Sequence, residues 1–328
     1  MTPTSHRRTP TPSRRRRRWW LVKASGLAAV TVGAAATAVA AGLLEARAYR
    51  VVHHRLTLPG ASAGRLSILH ISDLHYVRGQ SSKARFVASL AGLRPDIVVA
   101  TGDLLADDDG FDEFADIMGP LLKLPGVFVF GSNDYFGPTP VNPAYYLRRR
   151  TGVVHPKGKV LAWRRVQGLL ADAGWADLNN ARTRLSAAGL TLELRGCGDA
   201  HIGMDDYPAG AIDAGVDWRS RPADLLLGVT HAPYRRVLDA MAADGVPLML
   251  AGHTHGGQLC LPGRAIIANC DLPVSMVKDV HPYPPGDDVA PRSWLHVSAG
   301  VGSAPTFPLR TFCRPEACLL DVTVDKLP

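Results

Sequence analysis

Short apolar runs, each cut off by a side chain able to bind a metal ion, recur along this chain and limit what it can fold into. The run at 65–72 ends in Asp73-Leu74-His75, and 97–101 ends in Gly102-Asp103. The run at 126–130 ends in Gly131-Ser132-Asn133-Asp134, 225–230 ends in His231, and 247–251 ends in Gly252-His253-Thr254-His255. Runs this short, β-branched or alternating and bounded by turn residues, predict buried strands. Residues i and i+2 of an extended segment project to one side, so Asp73 with His75, and His253 with His255, can each reach one point. Helical spacing over 81–93 and 111–124 separates the first three strands, which is a βαβ pattern. Ligands of such sheets collect at the carboxyl ends of the strands.

Further along, the spacing predicts helices over 163–173 and 234–243 and a strand over 190–194 that leads to Gly198-Asp199-Ala200-His201. Later strands are expected at 258–261, 294–298 and 317–322, with a Gly/Pro loop at 300–310. The Pro- and Arg-rich stretch 138–165 reads as a surface excursion and 204–221 as an irregular loop. His70, inside a strand, reads as a packed core histidine. His53 and His54 read as incidental members of a basic linker. No internal repeat is visible.

The formal net charge is +8, from 37 Lys+Arg against 29 Asp+Glu. Residues 1–23 carry Arg7, Arg8, Arg14 to Arg18 and Lys23, eight cations and no carboxylate, which is the whole excess. The body is therefore neutral, which argues against a polyanion-binding surface and a nucleic-acid partner. The leader reads as a basic disordered segment (1–23), an uncharged Ala/Gly/Val/Leu run of 21 residues (24–44) and a linker (45–64), followed by one domain over 65–328. The run is long enough to span a bilayer, and the charge bias puts the body on the extracytoplasmic side of the cell membrane. Arg17-Arg18-Trp19-Trp20-Leu21-Val22-Lys23 also resembles a twin-arginine export signal, with Ala38-Val39-Ala40 as cleavage site. Anchor and cleaved signal peptide both remain readings of this leader. Five cysteines, Cys197, Cys260, Cys270, Cys313 and Cys318, form no Cys-x-x-Cys pair, so a thiolate zinc site is not expected. Cys313 with Cys318, or Cys260 with Cys270, are possible bridges in an oxidising compartment; plain buried thiols are the simpler reading.

Four imidazoles, two carboxylates and further donors at the strand ends are too many for one tetrahedral ion and suit two divalent ions sharing a carboxylate. In order and spacing the five blocks resemble those of the calcineurin-like metallophosphoesterases: Asp-x-His, Gly-Asp, Gly-Asn-His-Asp/Glu, a lone His after a strand, and Gly-His-x-His. The segment from Ser298-Ala299-Gly300-Val301-Gly302 through Arg310 to Glu316 resembles the membrane-associated or exported branch of that family.

The resemblance implies a four-layer α/β/β/α sandwich of two mixed sheets flanked by helices. It implies two divalent metal ions (Mn, Fe or Zn): Asp73, His75 and His255 on the first, Asp103 bridging, and Asn133, His231 and His253 on the second. Asp103, Asn133 and His231 are then the catalytic set, and hydroxide activated between the cations is the nucleophile. One block departs from the pattern. Ser132 and Asn133 stand where the family has its ligand Asn and its proton-donating His, so a general acid is missing there. Asp134 and His201 are candidate substrate-binding residues. The expected activity is hydrolysis of a phosphodiester or diphosphate, on a lipid-linked or nucleotide-linked substrate. The alternative is a metal-bound but catalytically weak scaffold protein at the membrane; a single-metal structural site would leave several donors unexplained.

Overall fold

The computed structural model describes residues 33–139, 151–207, 210–211, 223–286 and 293–326. The chain divides into two units, Met1–Gly42 and Leu43–Pro328. The basic leader, residues 140–150 of the Pro/Arg-rich excursion and most of the 204–221 loop lie outside the described residues. Residues 33–45, which take in the second half of the apolar run, are a helix, α1. Among the described residues no helix is long and apolar enough to cross a membrane.

The strands in chain order are β1 (Arg50–Gly60), β2 (Gly64–Ile71), β3 (Ile97–Thr101), β4 (Gly126–Val129), β5 (Ala176–Asp177), β6 (Ala181–Ala187), β7 (Leu190–Cys197) and β8 (Gly210–Ala211). Then follow β9 (Leu225–Thr230), β10 (Leu248–Ala251), β11 (Cys260–Leu261), β12 (Arg264–Ala265), β13 (Asp279–Tyr283), β14 (Ser293–Val297) and β15 (Glu316–Lys326). The helices are α2 (Ser81–Ser89), α3 (Phe111–Met118), α4 (Ser132–Tyr135), α5 (Trp163–Asp172) and α6 (Arg235–Ala243). One sheet runs β1-β15-β2-β3-β4-β5 and the other β13-β14-β10-β9-β7-β6-β8; β11 and β12 form a separate hairpin.

The layers follow from period-two alternation. Ile97 and Val99 of β3 face inward, joining Leu66, Ile68, Leu194, Leu227, Val229 and Leu250 in a core between the sheets. Val98 and Ala100 face outward, onto Phe114, Ile117, Val166 and Leu170 of α3 and α5. On the second sheet Met249, Ala251 and Val297 meet Val237, Leu238 and Met241 of α6. The order is helices, sheet, sheet, helix, which is the expected α/β sandwich with mixed sheets.

The expected linker is not a linker. Arg50–Gly60 is an eleven-residue strand, paired in parallel along its full length with β15. Leu56 and Leu58 point into the inter-sheet core and Arg55 and Thr57 to solvent. β15 in turn pairs antiparallel with β2, so the carboxyl-terminal strand sits inside the sheet beside the strand that leads to Asp73. β7 covers the strand expected at 190–194, but its hairpin partner β6 was not expected; the hairpin closes through Ala188 and Gly189, both at positive φ, a turn whose twist suits paired strands.

His70 is packed, as expected. It is fully buried, with Nε2 2.8 Å from Thr101 Oγ1 and Nδ1 2.8 Å from His296 Nδ1. Burial lowers its pKa to about 3, so it is neutral in the fold. An unfolded histidine titrates near 6.5, so this group's contribution is intact above that pH and is lost as pH falls. Each unit between 6.5 and 3 removes about 1.4 kcal/mol. Between pH 6.5 and 5, His70→Gln should therefore lose about 2 kcal/mol less stability than wild type in denaturant melts. Identical pH profiles for the two proteins would contradict this.

Candidate metal centre

Five expected ligand residues share an unusual backbone. Asp73, His75, Asp103, His253 and His255 all have φ between 41° and 68°, the left-handed region. Non-glycine residues avoid it, and Asp and His tolerate it better than most. Each lies just past the end of β2, β3 or β10, where the chain turns sharply and swings its side chain over the sheet rim. Backbone bonds knit these turns together. Asp73 N donates to Gly102 O (2.9 Å), His75 N to Asp103 O (2.8 Å) and Gly252 N to His231 O (2.9 Å). Gly300 lies so close that a Cβ there would stand 2.7 Å from Asp73 Cβ, and one on Gly131 would collide with Asp103 and His231.

The side chains converge as two donor clusters: Asp73, His75 and His255, and Asp73, Asp103 and His231. Within each, one ligand atom per residue lies within 4.8 Å of the others. Asp103 Oδ2 stands between them, 3.4 Å from His75 Nε2 and 3.6 Å from His231 Nε2. His75 Nε2 and His255 Nε2 are 3.1 Å apart, and His255 Nε2 is 3.6 Å from Asp73 Oδ1. His231 Nδ1 is hydrogen-bonded to Thr101 O (2.6 Å), which turns Nε2 toward the carboxylates; that buried nitrogen has no hydrogen-bond partner. His253 belongs to neither cluster. Its ring lies 5.2 Å from that of His231 and 4.3 Å from that of His201, with Nε2 3.4 Å from Asn269 O.

Asn133 arrives on the short helix α4. Its backbone N–H donates to Asp103 Oδ1 (2.8 Å) and its amide Nδ2 to Asp103 Oδ2 (2.7 Å). Asn133 thus joins the centre, though with its N–H₂ end; binding a cation needs the amide turned to present Oδ1. Asp134 is not a substrate group. Its carboxylate turns inward and accepts from the backbone N–H of Asp103 (2.7 Å), Leu104 (2.7 Å) and Gly131 (2.8 Å), pinning the second and third loops together. His201 lines a cleft of about 240 Å³ together with His75, Asp103, Ser132, Asn133, His253 and His255.

Burial holds the pKa of His75, His253 and His255 well below the ordinary histidine value, so all three are neutral and ready to ligate. Burial would lower His231 too, but Asp103, Asp199 and Asp73 outweigh it and lift it to about 9. Burial lifts Asp73 to about 6 against the pull of His231. At Asp103 burial is outweighed by His231, His75 and the bonds from Asn133, which hold it below the usual carboxylate range. Buried carboxylates offset by one imidazolium, with oxygen and imidazole donors aimed at a common point, are what divalent cations require.

Sequence reasoning missed the supports. Arg310 is fully buried and donates to the carbonyls of Ala299 (2.7 Å) and Gly302, the latter also facing His255 Nδ1 at 3.2 Å. Lys83 Nζ donates to Leu74 O (2.6 Å) and holds the loop between Asp73 and His75; burial brings its pKa down to about 7. The sequence assigned neither of them a supporting role, and only tertiary contact reveals it. All five cysteines are free and buried, as in the simpler expectation.

The chain matches the family described as Calcineurin-like phosphoesterase over residues 66–257. It is 28% identical over 279 residues to phosphodiesterase YaeI of Escherichia coli, covering 84% of this chain and 88% of that protein. It is 26% identical to the uncharacterized metallophosphoesterase YkoQ of Bacillus subtilis, covering 66% and 72%. A shorter match, 30% over 132 residues, is to 3',5'-cyclic adenosine monophosphate phosphodiesterase CpdA of Escherichia coli, covering 36% and 46%.

The role of Asp134 is directly testable. In Asp134→Asn one oxygen becomes an N–H₂ facing backbone donors. The change should cost about 3 kcal/mol of stability and weaken metal binding in calorimetric titration. Unchanged melting and unchanged metal affinity would contradict the pinning role.

Proposed function

The chain belongs to the calcineurin-like phosphoesterases, hydrolases of phosphoester bonds, and on that premise we propose that it cleaves a phosphodiester or diphosphate carrying an apolar group. The observation that supports this best is the pair of donor clusters meeting at Asp73 and Asp103 under one cleft. The donor set, with a buried and unpartnered His231 Nε2, fits divalent cations of the Mn, Fe or Zn kind. Asp73, His75 and His255 would hold one, and Asp103, Asn133, His231 and His253 the other. Bound there, such ions supply Lewis acidity toward the phosphoryl oxygens and lower the pKa of water.

The remaining work falls to the chain itself. Asn133 stands where the resemblance expects a proton donor, and an amide cannot fill that role. His201 takes it: its imidazole faces the cleft, and its Nδ1 is hydrogen-bonded to Tyr234 Oη (3.0 Å), which orients the ring. A proton held on the ring passes to the leaving oxygen. Lys157, exposed at the mouth, binds the phosphoryl anion. Phe136, Pro156, Leu259, Ile267 and Phe307 form an apolar wall that excludes water and receives a lipid-like or nucleoside group. Leu261 and Ile266, flanking that wall on the β11–β12 hairpin, are half exposed, which favours an amphiphilic substrate. A relative bearing the name phosphodiesterase along most of its length supports the diester reading. The basic leader and the apolar run after it support a membrane placement of the active domain, as anchor or export signal.

With Mn²⁺-loaded full-length protein, bis-p-nitrophenyl phosphate should be hydrolysed, and Asp103→Asn should lower kcat at least about 10²-fold. His201→Ala should lower kcat roughly 10²-fold on an alkyl diester but little on the nitrophenyl ester, whose leaving group needs no proton. Equal losses on both esters would remove His201 from the acid role. Bound metal without turnover on any phosphoester would favour the scaffold reading instead.

A further inference from the structure

Between the sheets, away from the cleft, lies a second cluster of metal-binding side chains. His54 projects inward from β1 on the face that carries Leu56 and Leu58. Cys318 projects inward from β15, beside His70 of β2 in the antiparallel register. His296 comes from β14 of the opposite sheet. A ring nitrogen of His54, a ring nitrogen of His296 and Cys318 Sγ lie within 4.8 Å of one another. His296 and Cys318 are fully buried.

Three features distinguish this cluster from ordinary packing. Buried ring nitrogens normally find a hydrogen-bond partner, yet His54 Nε2 and His296 Nε2 have none, and they belong to neighbouring rings 5.1 Å apart. The other nitrogen of His296, Nδ1, is 2.8 Å from His70 Nδ1, and His70 Nε2 is 2.8 Å from Thr101 Oγ1. That chain fixes the His296 ring with Nε2 directed away from it, and ligating histidines usually have such a partner on the far nitrogen. The thiol has a carboxylate oxygen near it: Glu316 Oε1 is 3.9 Å from Sγ, while Arg50 holds Oε2 at 2.7 Å.

We propose that His54, His296 and Cys318 form a cation site, distinct from the catalytic centre, that takes Zn²⁺ and ties the two sheets together. Two imidazoles and a thiolate are a zinc donor set, with Glu316 Oε1 or a water as fourth ligand. Donors about 2.0–2.3 Å from zinc stand roughly 3.3–3.8 Å apart, so donors within 4.8 Å of one another close on the ion by about an ångström or less. Binding forms two Zn–N bonds and one Zn–S bond and releases the thiol proton to solvent; nothing is oxidised or reduced. Both imidazoles are already neutral, since burial lowers their pKa. Thr101 lies between the two centres: its carbonyl meets His231, and its hydroxyl meets His70, which in turn bonds His296. The site does not depend on the hydrolase reading.

Cobalt substitution of the full chain tests it. The donors of the catalytic centre include no thiol, so a sulfur-to-cobalt charge-transfer band in the near ultraviolet reports a site such as this one. Wild type should show the band. Cys318→Ser should lose it and bind one ion fewer per chain; His296→Gln should weaken it. Cys197→Ser and Asp103→Asn should both keep it, and the latter separates this outcome from any failure of the catalytic centre. No band in wild type overturns the proposal even if a variant does not fold. A band that survives Cys318→Ser, or equal metal content in the two proteins, overturns it as well.

Discussion

Two carboxylates, Asp73 and Asp103, are buried side by side at the rim of one sheet, and the surrounding structure serves to make that tolerable. Each disfavours the charge of the other, and burial adds to the cost. Without a cation, His231 supplies the offsetting charge: the carboxylates around it lift its pKa, whereas burial lowers that of its three imidazole neighbours. One imidazolium against a buried carboxylate pair is incomplete compensation. The arrangement makes sense as a receptacle for positive charge that arrives from outside the chain.

Holding like charges together costs conformational strain as well. Five left-handed residues persist only because their loops are fastened to one another. Asp134 ties the Asp103 loop to the turn at Gly131, Arg310 gathers carbonyls near His255, Lys83 caps Leu74, and glycines at 131, 252 and 300 leave room where a Cβ would not fit. The carboxyl-terminal strand takes part too, because β15 pairs with β2 and so steadies the strand that carries Asp73. The catalytic rim is therefore a property of the whole sandwich rather than of any one loop.

The site was legible in sequence because each chemical residue follows an apolar strand, and strand ends in such sheets converge. The positions of β2, β3, β4, β9, β10 and β14 were legible for the same reason. β1 was not: His54 interrupts the inward face of Val52, Leu56 and Leu58, the outward face carries His53 and Arg55, and a basic half-strand does not read as alternation. Asp134 was misjudged because a carboxylate beside a catalytic block looks chemical, whereas its four-residue helix turns it toward backbone N–H groups. Arg310 and Lys83 gave little signal, since nothing local distinguishes a buried cation bonded to carbonyls from a solvated one. The doubling of the sheet came from the resemblance, because alternation gives faces but not what covers them.

Loops remote in sequence form one set of donors around Asp103, and the proposal is that this set receives two cations. Anomalous diffraction from crystals grown with Mn²⁺ addresses it most directly. Two peaks should appear, one against the donor atoms of Asp73, His75 and His255 and one against those of His231 and His253, with Asp103 between them. A map with no peak in contact with Asp103, or with a single peak that leaves His231 unliganded, would contradict the account.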